Sequence, residues 1–498
     1  MQIAHGRCDS LSCVLGEESS MFVRLSKNAY VRHYGDFTYV LERITSHDEV
    51  FKDAEVFFRW LTRKPIDQGI LIKKVCGCYQ DTDCSMVSKD LLDFLDLLEQ
   101  RGVIVRGESE QEIARKDRSF SYDVESPKTA NIRESEWDVN ARVPSFILDA
   151  YYKEHPSLFG IQIEITSACT ERCIHCYCED YKSVFMPLEM FEKVVKEFRA
   201  QGGIQVGITG GECMLHPEFE RFVRCVREND LIVAVLSNLT LCNDKKIQVL
   251  KEVEATVQVS LYSMNPETHD AITRRKGSYT ETRRAIERCR AEHIPCLISC
   301  PTMKLNYADY LEVLSFARSL KMDAQTDFII MGKRDCDLSN TSCRLDLDQT
   351  RHIIEDIVYR SLPVDSEQFS VAKKSMMPSA EKWADDAICG AGINTVSLDV
   401  HGDYHPCPGL GGIVLGNCRE HDMTWLLNES PMMKKLRAIR GRDFKKCVSC
   451  EDRNYCAVCM CRNYNESGDL FTPAKHFCDV AKINHEVVDA FQNGRGNP

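Results

Sequence analysis

The sequence contains no run of about 18 apolar residues, the length that a membrane-spanning helix requires. Its first residues, MQIAHGRCDS, include no apolar segment of the kind found in a secretory signal peptide. These two absences predict a protein that does not cross a membrane and that stays in the cytoplasm.

Positive charge is also scarce. The chain has 63 Lys and Arg against 75 Asp and Glu, a net charge of -12. A protein that grips nucleic acid neutralises phosphates with clustered Lys and Arg. The charge balance therefore argues against a nucleic-acid partner and favours a peptide or small-molecule substrate.

Cysteine, in contrast, is abundant, with 26 in 498 residues. In an exported protein this number would indicate disulfides, but without an export signal metal binding is the better interpretation. The cysteines concentrate in residues 169–178 and 389–478, which predicts two metal-binding regions. The length predicts two to four domains, because one hydrophobic core rarely supports so long a chain.

Six short apolar runs alternate with helical stretches in the central region. They are IQIEIT, IQVGIT, LIVAVLS, TVQVSLY, PCLISC and DFIIM, starting at Ile161. Strands that alternate with helices pair in parallel, so the pattern predicts an α/β fold, a partial TIM-like barrel of six βα repeats. Active-site residues in such a barrel follow the strand ends, where TSACTERCIHC and TGGE lie.

The first of these loops carries Cys169, Cys173 and Cys176 in C-x3-C-x2-C spacing. A four-iron cubane held by three cysteines keeps one iron open for a substrate or cofactor. In the second loop, Gly210 and Gly211 allow close approach of the backbone to a ligand, and the next residue supplies a carboxylate able to hold an ammonium group.

These motifs resemble those of the radical S-adenosylmethionine enzymes. The resemblance implies a [4Fe-4S] cluster whose open iron binds S-adenosylmethionine, which one electron cleaves to a 5′-deoxyadenosyl radical. It also implies that the His175 backbone meets the adenine and that Glu212 binds the methionine ammonium. The remaining implied cofactor contacts are Ser237, Asn238, Ser260 and either Arg274 or Arg275. Cys178 and Cys213 lie outside the spacing and are predicted to be structural.

Beyond residue 380 there are nine cysteines, and eight remain when the isolated Cys418 is set aside. Eight cysteines close two four-iron clusters. Zinc is the alternative for CVSC through CAVC, although five intervening residues are few for two zinc knuckles and three cysteines would stay unexplained.

The same region resembles the SPASM extension of peptide-modifying radical enzymes. The resemblance implies an outer auxiliary [4Fe-4S] cluster on Cys447, Cys450, Cys456 and Cys478, and an inner one on Cys389, Cys407, Cys459 and Cys461. The usual three-residue gap after Cys456 is absent, since two residues precede Cys459 and four precede Cys461. If both Cys459 and Cys461 bind the inner cluster, that cluster is fully ligated and serves as an electron relay. If only one of them binds, one iron is open and can bind a substrate thiolate.

The N-terminal region reads as a small winged-helix module. Residues 29–44 alternate around a Gly35-Asp36 turn, which predicts a hairpin. SKDLLDFLDLLEQRG predicts a helix with Ser88 as its cap and Gly102 as its end, followed by a short strand at VIV. Residues 21–106 resemble the leader-peptide recognition element, akin to the peptide chaperone of pyrroloquinoline quinone synthesis. Such a domain binds a leader peptide as an added strand.

The alternative for this module is a DNA-binding winged helix. The acidic character of the helix disfavours it, since four Asp and Glu oppose one Lys and one Arg between Ser88 and Gly102. Cys76, Cys78 and Cys84 are predicted to be reduced structural cysteines.

The predicted domain order follows from these patterns. It comprises a tail (1–20), a leader-peptide recognition domain (21–107), a linker (108–154), the radical barrel (155–345), a connecting helix (346–380), the SPASM domain (381–485) and a second tail (486–498).

The function predicted on this basis is a maturase of a ribosomally made precursor peptide. The N-terminal module would hold the leader, the barrel would deliver the radical, and the auxiliary clusters would accept the released electron. A Cys thioether is favoured over a carbon-carbon crosslink, and epimerisation ranks lower. An electron donor such as flavodoxin or ferredoxin is implied. A sulfatase-maturase-like enzyme and an iron-sulfur DNA-binding regulator are the alternatives, and no catalytic base is predicted.

Overall fold

The computed structural model describes residues 21–45, 47–79, 82–120, 148, 151–152, 154–178, 182–361 and 379–492. The predicted tail at 1–20 and most of the predicted linker lie outside these ranges. The chain forms two compact units, residues 1–120 and 121–498. Within the described ranges, no helix is both long and apolar enough to span a membrane.

The first unit contains two small antiparallel sheets and four helices. Its strands are β1 (Phe22–Leu25), β2 (Ala29–Tyr34), β3 (Phe37–Glu42), β4 (His47–Lys52), β5 (Ile66–Asp67) and β6 (Ile104–Gly107). Its helices are α1 (Glu55–Phe58), α2 (Gln68–Cys76), α3 (Cys84–Gln100) and α4 (Glu110–Lys116). The sheet orders are β5-β1-β6 and β2-β3-β4.

The predicted hairpin is present, because β2 pairs with β3 and Tyr34 faces Phe37 across the turn. Gly35 has a φ of 56° there, a left-handed conformation that glycine adopts without steric cost. The apolar face of α3 also matches the prediction, with Leu91, Leu95 and Leu98 buried. This face and the strands of both sheets enclose one core.

The start of α3 was predicted at the wrong residue. The helix begins at Cys84, and the carboxylate of Asp83 accepts the cap hydrogen bond from the Ser85 amide at 3.0 Å. Ser88 instead lies inside the helix, where its hydroxyl donates to the Cys84 carbonyl at 2.6 Å. Val87, which is buried four residues before Leu91, and Cys84, which packs against the same core, extend the apolar face to this start.

The first unit also extends further than the predicted boundary at residue 107. Helix α4 follows, and Asp117 then accepts hydrogen bonds from the Ser26 hydroxyl at 2.8 Å and the Lys27 amide at 3.0 Å. An ion pair from Arg24 to the same carboxylate, at 2.8 Å, adds to this attachment. Residues 108–117 therefore belong to the first unit and not to a linker.

The second unit is built on a nine-stranded sheet in the order β12-β11-β10-β9-β8-β7-β13-β14-β15. Its strands are β7 (Gly160–Glu164), β8 (Gln205–Thr209), β9 (Ile232–Leu236), β10 (Thr256–Ser260), β11 (Cys296–Pro301), β12 (Asp323–Asp327), β13 (Thr395–Leu398), β14 (Asp403–His405) and β15 (Gly416–Asn417). Strands β7 to β12 run in parallel and in sequence order, which confirms the predicted α/β fold with a parallel sheet.

Helices follow these strands and continue to the C-terminus. They are α5 (Leu188–Ala200), α6 (Phe219–Glu228), α7 (Asp244–Glu252), α8 (Pro266–Thr273), α9 (Ser278–Ala291), α10 (Tyr310–Ser319), α11 (Leu347–Ser361), α12 (Ala380–Asp385), α13 (Met423–Asn428), α14 (Pro431–Ala438), α15 (Lys445–Val448), α16 (Met460–Ser467) and α17 (Lys475–Gln492). Since α17 continues to Gln492, the segment predicted as a tail from residue 486 is helical over most of its length.

The sixth parallel strand differs from the prediction. The sequence favours DFIIM, but β12 is the polar segment DAQTD just before it. The apolar residues after β12 pack elsewhere: Ile330 is buried in a small cluster that includes Tyr262 and Met303 and that Cys173 and Ile174 contact. The apolar residues of DFIIM are therefore explained by packing against the cysteine loop and not by a strand.

The C-terminal region contributes a strand to the central sheet. β13 pairs in parallel with β7, with Thr395 opposite Gly160 and Leu398 opposite Ile163, and then turns back antiparallel into β14. The tip of this hairpin, residues 399–402, consequently lies at the same sheet edge as the loop after β7.

Candidate functional site

A cavity of about 320 Å³ opens at the carboxyl ends of the parallel strands. It is lined by Glu164, Ser167, Cys169, Glu171, Cys173, His175, Cys176, Cys178, Thr209, Gly210, Gly211, Leu236, Ser237, Asn238, Gln258, Ser260, Tyr262, Arg334, Asp399, Val400 and His401. Both motifs singled out in the sequence thus face one cavity.

The loop with the first cysteine triplet is fixed by hydrogen bonds from several directions. The Arg172 and Ile174 amides donate to carbonyls at the end of α8, at 2.9 and 3.0 Å. The Asn340 side chain donates to the His175 carbonyl at 3.1 Å. The loop is therefore held as a cradle with all three cysteines half-buried at its inner surface.

Two of the three thiols in this cradle, those of Cys169 and Cys173, have raised pKa values. Burial raises the pKa of Cys169 to about 12, and burial together with Glu171 raises the pKa of Cys173 well above its usual value. Metal binding replaces the thiol protons, so it is coupled to proton release.

The two glycines of TGGE are required by contact between backbones. The Gly211 amide donates to the Thr166 carbonyl at 2.9 Å. A Cβ on Gly210 would lie 2.3 Å from the Thr166 carbonyl oxygen, and one on Gly211 would lie 2.4 Å from that of Ala168. The second loop is thus packed directly against the segment that leads into Cys169.

Glu212 is placed differently from the sequence expectation. Its carboxylate is buried and does not line the cavity. It accepts hydrogen bonds from the Met214 amide at 2.9 Å, the Ser237 hydroxyl at 2.7 Å and the Asn238 amide at 2.7 Å. The structure therefore does not bring Glu212 to the ammonium position; it ties the loops after β8 and β9 together.

Ser237, Asn238 and Ser260 line the cavity as the resemblance implied. The Ser237 hydroxyl is already engaged by Glu212 and by the Leu239 amide at 2.9 Å. The Asn238 side chain donates to the Thr170 hydroxyl at 2.9 Å, which joins the β9 loop to the cysteine loop.

Arg274 and Arg275 are not brought to the cavity. Arg274 is exposed with a φ of 54°, just beyond the end of α8. Arg275 forms an ion pair with Glu281. Neither guanidinium is therefore placed to meet a ligand in this cavity.

His175 is half-buried and presents its imidazole, with a buried Nδ1, to the cavity. Burial lowers its pKa to about 4, so the ring is neutral. It packs edge-on against Tyr262 at 5.2 Å, and its Nδ1 has no hydrogen-bond partner among the described residues. This ring can stack on, or hydrogen bond to, a planar ligand.

The far wall of the cavity carries groups that the sequence did not single out. Arg334 pairs with Glu164, with Nη1 to Oε2 at 3.2 Å, and lies over the Tyr177 ring at 5.1 Å. Cys178, predicted to be structural, faces this wall and its thiol hydrogen bonds to Cys176.

His401 completes this wall from the tip of the β13–β14 hairpin. Its imidazole is exposed to the cavity and makes no hydrogen bond within the part of the chain that the structure describes. Asp399 fixes the tip by accepting from the His401 and Asp403 amides, both at 2.9 Å. Only the pairing of β13 with β7 reveals this placement, so sequence reasoning missed it.

The four cysteines predicted for the outer cluster surround a second cavity, of about 140 Å³. Cys447, Cys450, Cys456 and Cys478 all line it, together with Lys446, Arg453, Arg462 and a fifth cysteine, Cys459, which was predicted for the inner cluster. Burial raises the pKa of Cys456 to about 11, and the neighbouring thiols contribute. The four positions are thus brought together from α15, the segment after it and α17.

The other four cysteines also converge. The thiols of Cys407, Cys459 and Cys461 interact with one another, and the interaction with Cys461 lowers the pKa of Cys407 and lowers that of Cys459 to about 6. Cys389 lies within electrostatic range of Cys407 and Cys459. Both members of the C-x-C pair therefore face the same group. Cys213, predicted to be structural, and Cys418, which the count of cluster cysteines set aside, are fully buried.

No three Cys, His, Asp or Glu side chains in the described ranges converge tightly enough to hold a single metal ion. A cubane cluster distributes its ligands over separate irons and does not need such convergence.

Comparison with known proteins identifies a family model that matches the central region. Residues 163–317 match the Radical SAM superfamily, whose members use a [4Fe-4S] cluster and S-adenosylmethionine. The Antilisterial bacteriocin subtilosin biosynthesis protein AlbA of Bacillus subtilis (strain 168) is 26% identical over 353 residues, 68% of this chain and 74% of the relative. The AdoMet-dependent heme synthase of Methanosarcina barkeri is 23% identical over 328 residues, 61% of this chain and 92% of the relative.

Among solved structures, Streptococcus suis SuiB bound to precursor peptide SuiA has a TM-score of 0.57 at 14% identity. The match covers 90% of this chain and 98% of that one. At this identity the likeness shows the fold alone.

Proposed function

We propose that the protein is a radical S-adenosylmethionine maturase that crosslinks a ribosomally made precursor peptide, forming a thioether from a peptide cysteine. The observation that carries the proposal is the convergence of three cysteines, both glycines of TGGE and the hairpin tip of the C-terminal region on one cavity. The similarity to a bacteriocin biosynthesis protein over most of the chain supports a peptide substrate.

The residues present fit the expected cofactors. Cys169, Cys173 and Cys176 supply three thiolates on one face of a fixed loop, and the buried, orphaned Nδ1 of His175 suits a planar heterocycle. When bound, the cluster and S-adenosylmethionine supply a 5′-deoxyadenosyl radical that removes a hydrogen atom from a substrate carbon. The carbonyls of Gly210 and Gly211, which accept no hydrogen bond from the described residues, would receive the methionine ammonium.

The chain's own residues then divide the cavity into two ends. Ser237, Asn238 and Ser260 form the cofactor end, while Glu164, Arg334 and His401 form the opposite end. Because Glu164 neutralises Arg334, the second end offers polar contacts without a strong net charge. We assign this end to the peptide segment that is modified.

The first unit is proposed to bind the leader segment of the precursor. Its sheet β2-β3-β4 has two edges, and the side chains of β4 are half-buried or exposed throughout. An extended peptide can pair with such an edge through main-chain hydrogen bonds. The mostly acidic surface of α3 makes phosphate recognition by this unit a poor alternative.

The two C-terminal cysteine groups are proposed to hold auxiliary [4Fe-4S] clusters. Cys459 and Cys461 both interact with Cys407, although Cys459 also lines the outer cavity, and we propose that both bind the inner cluster, which is then closed and serves to relay electrons. Formation of a crosslink oxidises the substrate and releases an electron, which such a relay can carry away. Epimerisation needs no net oxidation and therefore no relay.

The proposal is tested by coexpressing the chain with a candidate precursor peptide under anaerobic conditions and measuring the peptide mass. A thioether or carbon-carbon crosslink removes two hydrogens per site, and loss of the signal from the cysteine thiol identifies the thioether. Cys176→Ala is the matched inactive control. An unchanged mass with altered stereochemistry would replace crosslinking by epimerisation, and a holoenzyme with about four irons instead of about twelve would remove the auxiliary clusters.

A further inference from the structure

The charge of the chain is unevenly distributed around its outer cysteine group. Residues 434–462 contain nine Lys and Arg but three Asp and Glu, although acidic residues exceed basic ones in the whole chain, 75 to 63. The outer cysteines at positions 447, 450 and 456 lie inside this segment. An acidic protein thus carries its local excess of positive charge at one of its proposed electron-transfer centres.

The geometry places several of these cations at the cavity itself. Lys446, Arg453 and Arg462 line the cavity with the four outer cysteines and Cys459. Arg453 stacks on the Trp383 ring at 5.2 Å and Arg462 on the Phe477 ring at 4.9 Å, so aromatic packing orients both guanidinium groups. We call Lys445, Lys446, Arg453 and Arg462 the basic rim.

The cations of the basic rim are not held in direct ion pairs, although Glu381 lies within electrostatic range of Arg453. None of its four side chains has an ion-pair partner within the described ranges. The carboxylate nearest in the lining, Asp452, is engaged by His485 at 2.8 Å. The net positive potential of the rim is therefore available to a partner, because unpaired surface cations attract acidic surfaces over about one Debye length.

The rim is also open to solvent. Lys445 and Lys446 are exposed, and so is Cys478, one of the four outer cysteines. Lys446 lies close enough to Cys447 and Cys478 to act electrostatically on both thiols. A protein that contacts these lysines consequently comes within a side chain's length of the cysteine group.

We propose that the basic rim is the docking surface for a small acidic one-electron carrier protein that exchanges electrons with the outer cysteine site. This inference rests on the proposed auxiliary cluster. For each thioether, the substrate carbon loses one hydrogen atom to the 5′-deoxyadenosyl radical, and formation of the carbon-sulfur bond then releases the thiol proton and one electron. A cluster at the outer site would pass that electron to the oxidised carrier. Charge complementarity sets the orientation and the rate of such an encounter.

The test measures docking directly. The probe is an oxidised flavodoxin, titrated calorimetrically into the iron-loaded holoenzyme at low and at physiological salt. The rim variant is Lys445→Glu with Lys446→Glu. The matched control is Lys196→Glu with Lys245→Glu, which reverses two exposed lysines on α5 and α7.

We expect the rim variant to bind flavodoxin at least about tenfold more weakly at low salt and to lose most of the salt dependence, while the control binds as the parent does. Equal affinity and equal salt dependence of the parent and the rim variant would overturn the proposal. Stronger binding of a DNA duplex than of flavodoxin at the rim would also overturn it.

Two further measurements keep this inference separate from the proposed function. Iron content shows whether the rim variant retains its clusters. If the clusters are lost, the variant Lys445→Gln with Lys446→Gln is used instead, and it must show the same loss of affinity for flavodoxin. Peptide mass in the parent tests the maturase activity independently. If flavodoxin binding depends on the basic rim but the peptide mass is unchanged, the docking surface is supported and only the crosslinking activity is refuted.

Discussion

Replacement of Gly211 by alanine tests the packing of the two active-site loops against each other. The new Cβ would lie 2.4 Å from the Ala168 carbonyl oxygen, whereas such contacts in proteins stay above 3.0 Å, so the backbone must move by at least 0.6 Å. Ala168 directly precedes Cys169. Since metal-ligand distances tolerate changes of only about 0.2 Å, we expect the Cys169 thiolate to move out of bonding distance of the cluster.

The expected cost of this overpacking is about 2 kcal/mol, a factor of about 30 in an equilibrium constant. Gly211→Ala should therefore lose the first cluster, about four of twelve irons, and S-adenosylmethionine binding with it. Iron analysis after anaerobic reconstitution and electron paramagnetic resonance with and without S-adenosylmethionine measure this. Gly160→Ala is the control, because its Cβ meets nothing closer than 3.7 Å. Full iron content and parental binding in Gly211→Ala would refute the reasoning.

Three other predictions concern single side chains. Cys178→Ala removes a thiol hydrogen bond to Cys176 worth about 1 kcal/mol, so formation of 5′-deoxyadenosine should fall less than tenfold; complete loss, as expected for Cys176→Ala, would contradict this. His401→Gln should keep 5′-deoxyadenosine formation but lower the yield of modified peptide per cleavage about tenfold or more, and an unchanged ratio would exclude a role at the peptide end. Hydrogen bonds from Ser85 lower the pKa of Asp83 below its usual 3.8. The Asp83 carboxylate therefore caps α3 fully above pH 3.8, and this cap is lost as the pH falls through the folded-state pKa. Hydrogen exchange of the amides at the start of α3 should show the loss of the cap in the parent but not in Asp83→Asn.

Five of the six parallel strands were predictable because each carries closely spaced apolar residues that the fold buries, between stretches with a helical pattern. The sixth was not, because β12 is an edge strand whose residues Asp323–Asp327 alternate between exposed and half-buried positions. Its pairing with β11 is a tertiary effect without a local signal. The adjacent apolar run was predicted to be the strand instead, although its residue Ile330 belongs to the small hydrophobic cluster that the cysteine loop contacts.

The residue types of the site were predictable, but their contacts were not. Spacing alone located Cys169, Cys173 and Cys176 and the glycines after β8. It did not reveal that the Glu212 carboxylate is turned away from the cavity by three donors from the chain itself. Nor did it locate His401, since the pairing of β13 with β7 joins segments more than 200 residues apart.

The pairing of β13 with β7 also determines when the catalytic sheet is completed during synthesis. β7 ends at Glu164 and β13 begins at Thr395, so 230 residues must be made between the two partners. At about 5–20 residues per second, the ribosome needs roughly 12–46 s for this interval. Throughout that time β7 keeps one edge unpaired, a state prone to pairing with other chains. The strand that leads into the first cysteine loop is thus among the last to gain its neighbour, and slower growth of the nascent chain lengthens its exposure.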